Sequence, residues 1–402
     1  MWMNGWMKMF KSDFPIFQNH PELVFLDSAA SAQKPKCVLD AMVDFYTHSY
    51  SNVHRGNCEI AGRATELYEN ARQVVAEFIG TTPKNIVFTS GATAAVNMVV
   101  NGYEKLLKAG DEVLVFIGEH HADFVPWQQV CKRTGATFKI IGVRADGTVD
   151  MEDFASKLSD KTKLVAVTHL SNVLGVINPV RQIADIAHKK GARVLVDGAQ
   201  SIAHIPVNIL DLDCDYFVFS GHKLYGPTGI GVLYGKTEAL DLLPPTVFGG
   251  DMVREVGVND TSFADVPARL EAGTPAFVQA HGLAEAIRYV SQIGMDKIAE
   301  HEQKLTSKLL AELKQIPNVQ IMGEGLHNNG LISFNVSGIH PSDIAFMLAK
   351  QNICVRVGHH CAMPIHTCMK NTVSLRVSFG LYNDEGDVNT FMVALKKALS
   401  FF

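Results

Sequence analysis

From about residue 70 onward, short runs of β-branched and aliphatic residues alternate with amphipathic stretches. That alternation builds strand–helix–strand units around a mostly parallel sheet. It predicts strands at Asn85–Thr89, Glu112–Ile117, Thr137–Gly142, Leu164–Thr168, Arg193–Val196, Tyr216–Phe219 and Ile230–Tyr234. Helices are predicted between several of them, at Thr93–Lys108, Val125–Arg133 and Pro179–Lys190. The last opens on a proline and closes on Lys189-Lys190-Gly191, a start and a stop signal. A right-handed, doubly wound α/β sheet with helices on its faces follows.

Near residue 245 the pattern changes: Pro244-Pro245 and Gly249-Gly250 punctuate the chain before a helical stretch from about Phe277 to Ile316. Beyond it come a strand (Leu331–Val336), a helix (Pro341–Lys350), strands at Ile353–Val357 and Thr372–Ser378, and a terminal helix (Asp384–Leu399). The expected organisation is an N-terminal arm over residues 1–25 joining a small domain, a large α/β domain over 26–265, and the connecting helix with a smaller C-terminal α+β domain over 266–402.

Length and charge narrow the chemistry. The 402 residues suggest two or three domains at roughly 100 to 200 residues each. With 36 basic and 41 acidic residues the net charge is −5, and no Lys/Arg cluster offers a footprint for nucleic acid. Seven cysteines without a CxxC pair argue against a disulfide framework and for a reducing compartment. The start, Met1 to Phe10, is apolar but lacks a basic leader, and Lys8, Lys11 and Asp13 interrupt it, so no signal peptide is expected. No run approaches the ~18 apolar residues of a membrane span. A cytoplasmic protein acting on small molecules, without nucleic acid or membrane partners, is the expectation.

Three candidates sit at the carboxyl ends of predicted strands, where open α/β sheets place their ligands. Asp197 ends Val194-Leu195-Val196, Gln200 follows three residues later, and Lys223 follows Ser220-Gly221-His222. Singly, each reads as well as a cap, a turn residue or a solvated lysine. Together they match what pyridoxal phosphate requires: a lysine for the Schiff base, a carboxylate against the pyridinium nitrogen, and a phosphate cradle. The cradle has its own signal in Thr89-Ser90-Gly91-Ala92-Thr93, a strand running through glycine into a helix whose unpaired N–H groups suit a dianion. Ser220 would add a hydroxyl, and a histidine of Glu119-His120-His121 would stack on the ring.

Two further features stand out near the C-terminus. In Arg356-Val357-Gly358-His359-His360-Cys361-Ala362-Met363-Pro364, two imidazoles precede a thiol on a loop bounded by glycine and proline, a setting for a nucleophilic thiolate. A structural cysteine and a zinc site from His359, His360, Cys361, His366 and Cys368 are the competing readings, the second without a familiar ligand spacing, so no metal is expected. Arg376 places a guanidinium inside the apolar strand Ser374-Leu375-Arg376-Val377-Ser378, where it requires an anion, either a substrate carboxylate or a structural acid.

Over nearly its whole length the sequence resembles the fold-type-I pyridoxal-phosphate enzymes of the class V aminotransferase group, and within it the group II cysteine desulfurases. The resemblance lies in Leu26-Asp27-Ser28-Ala29-Ala30, Asn52-Val53-His54-Arg55-Gly56, Glu119-His120-His121-Ala122 with Val125-Pro126-Trp127-Gln128, and Val196-Asp197-Gly198-Ala199-Gln200-Ser201. It continues in Ser220-Gly221-His222-Lys223-Leu224-Tyr225-Gly226-Pro227, Glu271-Ala272-Gly273-Thr274-Pro275 and Arg356-Val357-Gly358-His359-His360-Cys361-Ala362.

The resemblance implies the type I fold, with a mostly parallel seven-stranded sheet flanked by helices. It implies that Lys223 carries the cofactor, that Asp197 and Gln200 contact the pyridine nitrogen and 3′ oxygen, and that His121 stacks on the ring. Ala92, Thr93, Ser220 and His222 would hold the phosphate, with Thr274 reaching it from the second subunit of a homodimer. Asn172, Arg376, Arg356 and His54 would bind substrate, and Cys361 would accept sulfur. The implied reaction converts L-cysteine to L-alanine with a persulfide on Cys361, which a small sulfur-acceptor protein collects for iron–sulfur cluster assembly. The alternatives are a selenocysteine lyase acting on L-selenocysteine, and a related aminotransferase or kynureninase-like enzyme. The sequence departs from the group at Asp123, where members often carry Asn, at Ala276–His281, and at His366 with Cys368.

Overall fold

The computed structural model describes residues 10–323 and 329–402, so of the apolar start only Phe10 lies within the described chain. Seven strands form the central sheet: β1 (Ile86–Thr89), β2 (Glu112–Phe116), β3 (Thr137–Ile141), β4 (Thr162–Thr168), β5 (Arg193–Asp197), β6 (Tyr216–Ser220) and β7 (Gly231–Gly235). Their spatial order is β1-β7-β6-β5-β4-β2-β3. All seven fall where the hydrophobic pattern predicts them.

β7 alone runs against its neighbours. The Gly221–Ile230 connection from β6 is shorter than the dozen or so residues that a parallel crossover needs, so the chain turns back on itself. Because β1 is antiparallel to β7, it points the same way as β6. The carboxyl ends of β1, β2, β4, β5 and β6 therefore meet at one edge of the sheet, and that edge carries the chemistry.

Alternate residues of each strand feed two cores. Phe217 and Phe219 join Phe88, Phe116, Val167 and Val196 on one face. Tyr216 and Val218 join Val87, Val115, Ala166 and Leu195 on the other. Residues 36–48 and 59–79 form helices α1 (Lys36–His48) and α2 (Glu59–Ile79), which the alternation did not predict because they precede its first strand. α2 covers the first face with Tyr68 and Val75, while α3 (Ala92–Glu104) and α4 (His121–Thr134) cover the second with Val96, Val99, Trp127 and Val130. α4 begins four residues earlier than expected because His120 caps it, its ring accepting the Ala122 N–H at 3.1 Å. α5 (Val180–His188) lies within its predicted span.

The helical stretch after the glycine pair is two helices, not one. α6 (Phe277–Ile293) and α7 (Met295–Leu313) are separated by Gly294, whose φ of +96° only glycine adopts readily. Before them, β8 (Val253–Val256) and β9 (Thr261–Phe263) form an unexpected hairpin. A second, antiparallel sheet contains β10 (Val319–Ile321), β11 (Leu331–Val336), β12 (Arg356–Gly358) and β13 (Ser374–Ser378) in the order β10-β11-β13-β12. Its core includes Leu305 and Leu309 from α7, Ile344 and Leu348 from α8 (Pro341–Ala349), and Phe391 and Leu395 from the terminal helix. The predicted strand Ile353–Val357 splits, since Ile353–Cys354 pairs instead with Val24–Phe25. That short pairing carries Asp27 to the second sheet, where it bridges Ser378. Among the described residues no helix is long and apolar enough to cross a membrane.

β7 begins against the cradle loop so tightly that a Cβ on Gly231 would lie 2.4 Å from Gly91 Cα. Backbone cannot yield as a flexible side chain does. Gly231→Ala should therefore lower stability by about 1–3 kcal/mol, read as a lower denaturant midpoint at an unchanged slope. An unshifted midpoint would mean that the loop moves aside freely.

Candidate functional site

A cavity of about 160 Å³ opens at the carboxyl edge, between the central sheet and the second sheet. Asp197 is the last residue of β5, and Lys223 ends the short 3₁₀ turn that follows β6. Both border the cavity. Asp197 is buried, with Oδ1 accepting the Ala199 N–H at 2.8 Å. Burial raises its pKa, against the opposing pull of Lys223 and of that N–H. Lys223 keeps some accessible surface because it edges the cavity, yet protein surrounds it. Burial lowers its ammonium to about 8, with Arg376 and Arg356 lowering it and Asp197 and Cys361 holding the proton on. An amine that sheds its proton near neutrality is a competent nucleophile and base.

The expected cradle lies at one end of the cavity. Ser220 Oγ accepts the Ala92 N–H at 2.8 Å, which joins β6 to the first residue of α3. Thr93 and His222 also line this end. His222 Nδ1 lies 3.2 Å from Ser31 Oγ, and burial lowers its pKa to about 4 with help from Lys223 and Lys34. Gln200 donates to the Ala29 carbonyl at 2.8 Å, and its Oε1 is buried without a partner.

The histidine that faces the cavity is His120, not His121. Consecutive residues at a helix start point in different directions, and the capping position turns His120 inward. His121 turns outward, its Nε2 accepting the Met363 N–H at 3.0 Å and its own N–H meeting the Cys361 carbonyl at 2.6 Å. His121 thus supports the Cys361 loop. Burial, with Lys223, His121, Arg356 and Arg376 nearby, lowers His120 to about 3, so its ring is a neutral plane.

Beneath Asp197, the buried carboxyls of Glu119 and Asp123 each take one donor, from the Thr168 N–H and from Trp127 Nε1 respectively. The other oxygen of each has no donor. Burial and mutual repulsion push both well above the usual carboxylate range, with Asp197 adding to the effect. Three carboxyls this close do not all ionise.

The opposite wall comes from the second sheet. Cys361, half-buried, follows β12 and is the one cysteine bordering the cavity. Arg356 and Arg376 are direct cross-strand partners in β12 and β13, and both border the cavity. Like charges placed opposite one another repel. Arg376 Nη2 meets Asp27 at 3.1 Å and Nη1 donates to the Asn172 carbonyl at 2.9 Å. Its Nε is buried without a partner. Burial lowers Arg376 to about 10, Asp27 opposing. Arg376 thus has the structural acid that one reading of the sequence required, and Arg356 brings a second guanidinium for an incoming anion.

The chain thus gathers Ala92, Thr93, Asn172, Asp197, Ser220, His222, Lys223, Arg356, Cys361 and Arg376 around one cavity. His54 stays outside it, pairing with Glu69 at 2.9 Å beside Arg55 and Asp251. Thr274 borders a neighbouring cavity of about 500 Å³, together with Thr89 and Ser90. Sequence reasoning assigned the ring-facing role to His121 rather than His120, and gave no role to Asp27 as the partner of Arg376. The capping position before α4 was a usable signal for His120, whereas nothing local marks Asp27 as the partner of a strand far along the chain.

These residues fit pyridoxal phosphate by the chemistry of the donor set. The buried Asp197 suits a ring N–H, and Gln200, next to the cavity-lining Ala199, keeps a buried Oε1 without a partner. The open N–H end of α3 suits a phosphate, and Lys223 suits a carbonyl carbon.

The aminotransferase class-V family model matches residues 24–391. A probable cysteine desulfurase of Halalkalibacterium halodurans is 43% identical over 397 residues, 98% of each chain. A cysteine desulfurase of Dickeya dadantii is 43% identical over 96% of this chain and 95% of its own. Among solved structures, the cysteine desulfurase CsdA of Escherichia coli superposes with a TM-score of 0.92 at 36% identity, covering 98% of each chain. The apo cysteine desulfurase of Thermococcus onnurineus gives 0.94 at 37%, with the same coverage.

The balance at Lys223 has a direct readout. In protein stripped of cofactor, acylation of Lys223 should reach half its maximal rate near pH 8, against about 10.4 for an ordinary lysine. Asp197→Asn removes a charge that holds the proton on, so the midpoint should move lower. Peptide-resolved mass spectrometry measures it, and a midpoint that rises in the variant would contradict the assigned balance.

Proposed function

The chain belongs to the class-V aminotransferase family, and from that membership we propose that it is a cysteine desulfurase whose sulfur-accepting group is Cys361. It is a pyridoxal-phosphate enzyme acting on L-cysteine. The observation that carries the residue assignment is that one cavity holds a lowered lysine, a buried aspartate, two guanidiniums and a single thiol.

Pyridoxal phosphate, held by Lys223 and Asp197 with Ala92, Thr93, Ser220 and His222 at its phosphate, supplies an electron sink for bonds at Cα and Cβ of the bound amino acid. Arg356 and Arg376 grip the substrate carboxylate, and the Asn172 side chain borders the same space. Lys223 moves the Cα proton, its ammonium lowered to about 8 so that the free amine is far more accessible near neutrality than that of an ordinary lysine. His120, which borders the cavity as a neutral ring, would offer an apolar plane to the cofactor without adding charge.

Cys361 acts as a thiolate on the substrate sulfur. An S–S bond forms, the Cβ–S bond breaks with its electron pair left on carbon, and protonation there gives L-alanine. Cysteine and the enzyme thiol are thus converted to alanine and an enzyme persulfide, with no outside oxidant or reductant. The thiol does not travel, because its loop is tied at the Cys361 carbonyl and at Met363 by His121. A second thiol must come to it, presented by a small acceptor protein that passes sulfur on to iron–sulfur cluster assembly. A homodimer belongs to the same reading, in which Thr274, which borders the adjacent cavity with Thr89 and Ser90, serves the phosphate of a second copy.

Cys361→Ala should abolish alanine formation from L-cysteine, keep the visible cofactor band, and retain cleavage of L-selenocysteine, whose weaker carbon–selenium bond needs no thiolate. Full cysteine turnover in this variant would overturn the assignment. Arg376→Ala should raise the cysteine concentration for half-saturation about tenfold or more with the cofactor band intact, the loss expected for a charge-assisted pair. An unchanged half-saturation would leave Arg376 as a structural partner of Asp27 alone.

A further inference from the structure

Beside the cavity, two imidazoles share one hydroxyl. His366 Nδ1 lies 3.0 Å from the Ala362 carbonyl, and its Nε2 lies 3.0 Å from Ser374 Oγ. His360 Nε2 lies 3.0 Å from the same Ser374 oxygen. All three side chains are buried. Burial lowers both imidazoles, His360 to about 2 with Arg376, His366 and Arg356 contributing, so each ring is neutral and carries one N–H.

The direction of every hydrogen bond then follows. A carbonyl only accepts, so the single N–H of His366 is at Nδ1 and its Nε2 is a bare acceptor. The Ser374 hydroxyl must donate to that nitrogen, which leaves its oxygen to accept from His360. His360 therefore carries its proton on Nε2. Its Nδ1 is bare, and it is buried without a partner.

The ends of this relay are the two neighbours of Cys361. His360 and Cys361 both have left-handed backbones, with φ of +49° and +57°. Side chains resist that conformation, so it persists only where the surroundings impose it. The relay grips the ring of the residue before the thiol and the carbonyl of the residue after it. Asn172 adds a bond to the His360 carbonyl at 2.6 Å. Ser374 and Arg376 are two apart on β13 and so share a face, which lets one strand serve both thiol and carboxylate grip. Neither His366 nor Ser374 borders the cavity.

We propose that His366 and Ser374 are positioning residues for the Cys361 thiol, acting through a one-directional relay that fixes His360 as its Nε2–H tautomer and holds the His360–Cys361 turn. The proposal rests on the reading of Cys361 as the sulfur acceptor. It extends that reading to two residues that never meet the substrate.

The test uses holoenzyme carrying ¹⁵N-labelled histidine rings, with long-range ¹⁵N–¹H spectra reporting which nitrogen of His360 bears the proton. A protonated Nε2 with a bare Nδ1 is expected, and the opposite tautomer would overturn the relay even if every variant failed to fold. In rapid-quench mass spectrometry, Ser374→Ala and His366→Leu should slow sulfur arrival at Cys361 by about tenfold or more, with cysteine half-saturation and the cofactor band little changed. Ser374→Thr, which keeps the hydroxyl, should recover much of the rate. Wild-type rates in both disrupted variants would overturn the positioning role. Sulfur found on a different cysteine of the wild-type chain would overturn the reading of Cys361 and the proposal with it, a failure that the tautomer measurement keeps distinct from failure of the relay.

Discussion

A cavity that gathers Lys223, Arg356 and Arg376 against two carboxylates, Asp197 and Asp27, is built to receive a further anion. Buried charge is tolerated only when it is paired, and the register of β12 against β13 sets the two guanidiniums directly opposite each other, with Asp27 pairing Arg376. A substrate carboxylate would answer that excess, and a cofactor phosphate would suit the N–H end of α3. The lowered lysine is a product of the same crowding, since the two arginines help to drive its proton off.

The two sheets divide this work. The central sheet brings Asp197, Ser220 and Lys223 to its carboxyl edge on adjacent strands, and the reversal at β7 brings the Gly91 loop to the same edge. The second sheet supplies the arginines and the thiol. Asp27 and Asn172 cross between them, one pairing with Arg376 and the other bonding His360 while its carbonyl receives Arg376. Side chains from both sheets thus define one geometry. Glu119 and Asp123 place two further buried carboxyls near Asp197, and burial, their mutual repulsion and Asp197 push both well above the usual carboxylate range.

Much of this was legible in the sequence, because strand ends are. A buried parallel strand reads as a continuous apolar run, and the polar residue that ends it, such as Asp197 or the Ser220–Lys223 turn, stands out. Cys361 and Arg376 stood out for the same reason, as chemistry beside or within apolar strands. What stayed hidden depends on direction and on long-range contact. Adjacent histidines are equivalent in a string of letters, and only the capping geometry of α4 turns His120 inward and His121 toward Met363. The motif carrying His54 marked a resemblance, but within one chain that residue packs with Glu69, away from Lys223. The predicted helical stretch ran through Gly294, and the backbone angle of that residue ended the first helix.

The central claim is that sulfur leaves cysteine by moving onto the protein. Holoenzyme mixed with excess L-cysteine before any added thiol can act should, in the first turnover, release one L-alanine per chain as Cys361 gains one sulfur, and then slow sharply until a thiol is supplied. Quantifying alanine against time, with and without added thiol, measures this directly. A burst of one alanine per chain is the predicted result. Steady alanine formation from Cys361→Ala protein, or turnover that requires a keto acid, would contradict the account.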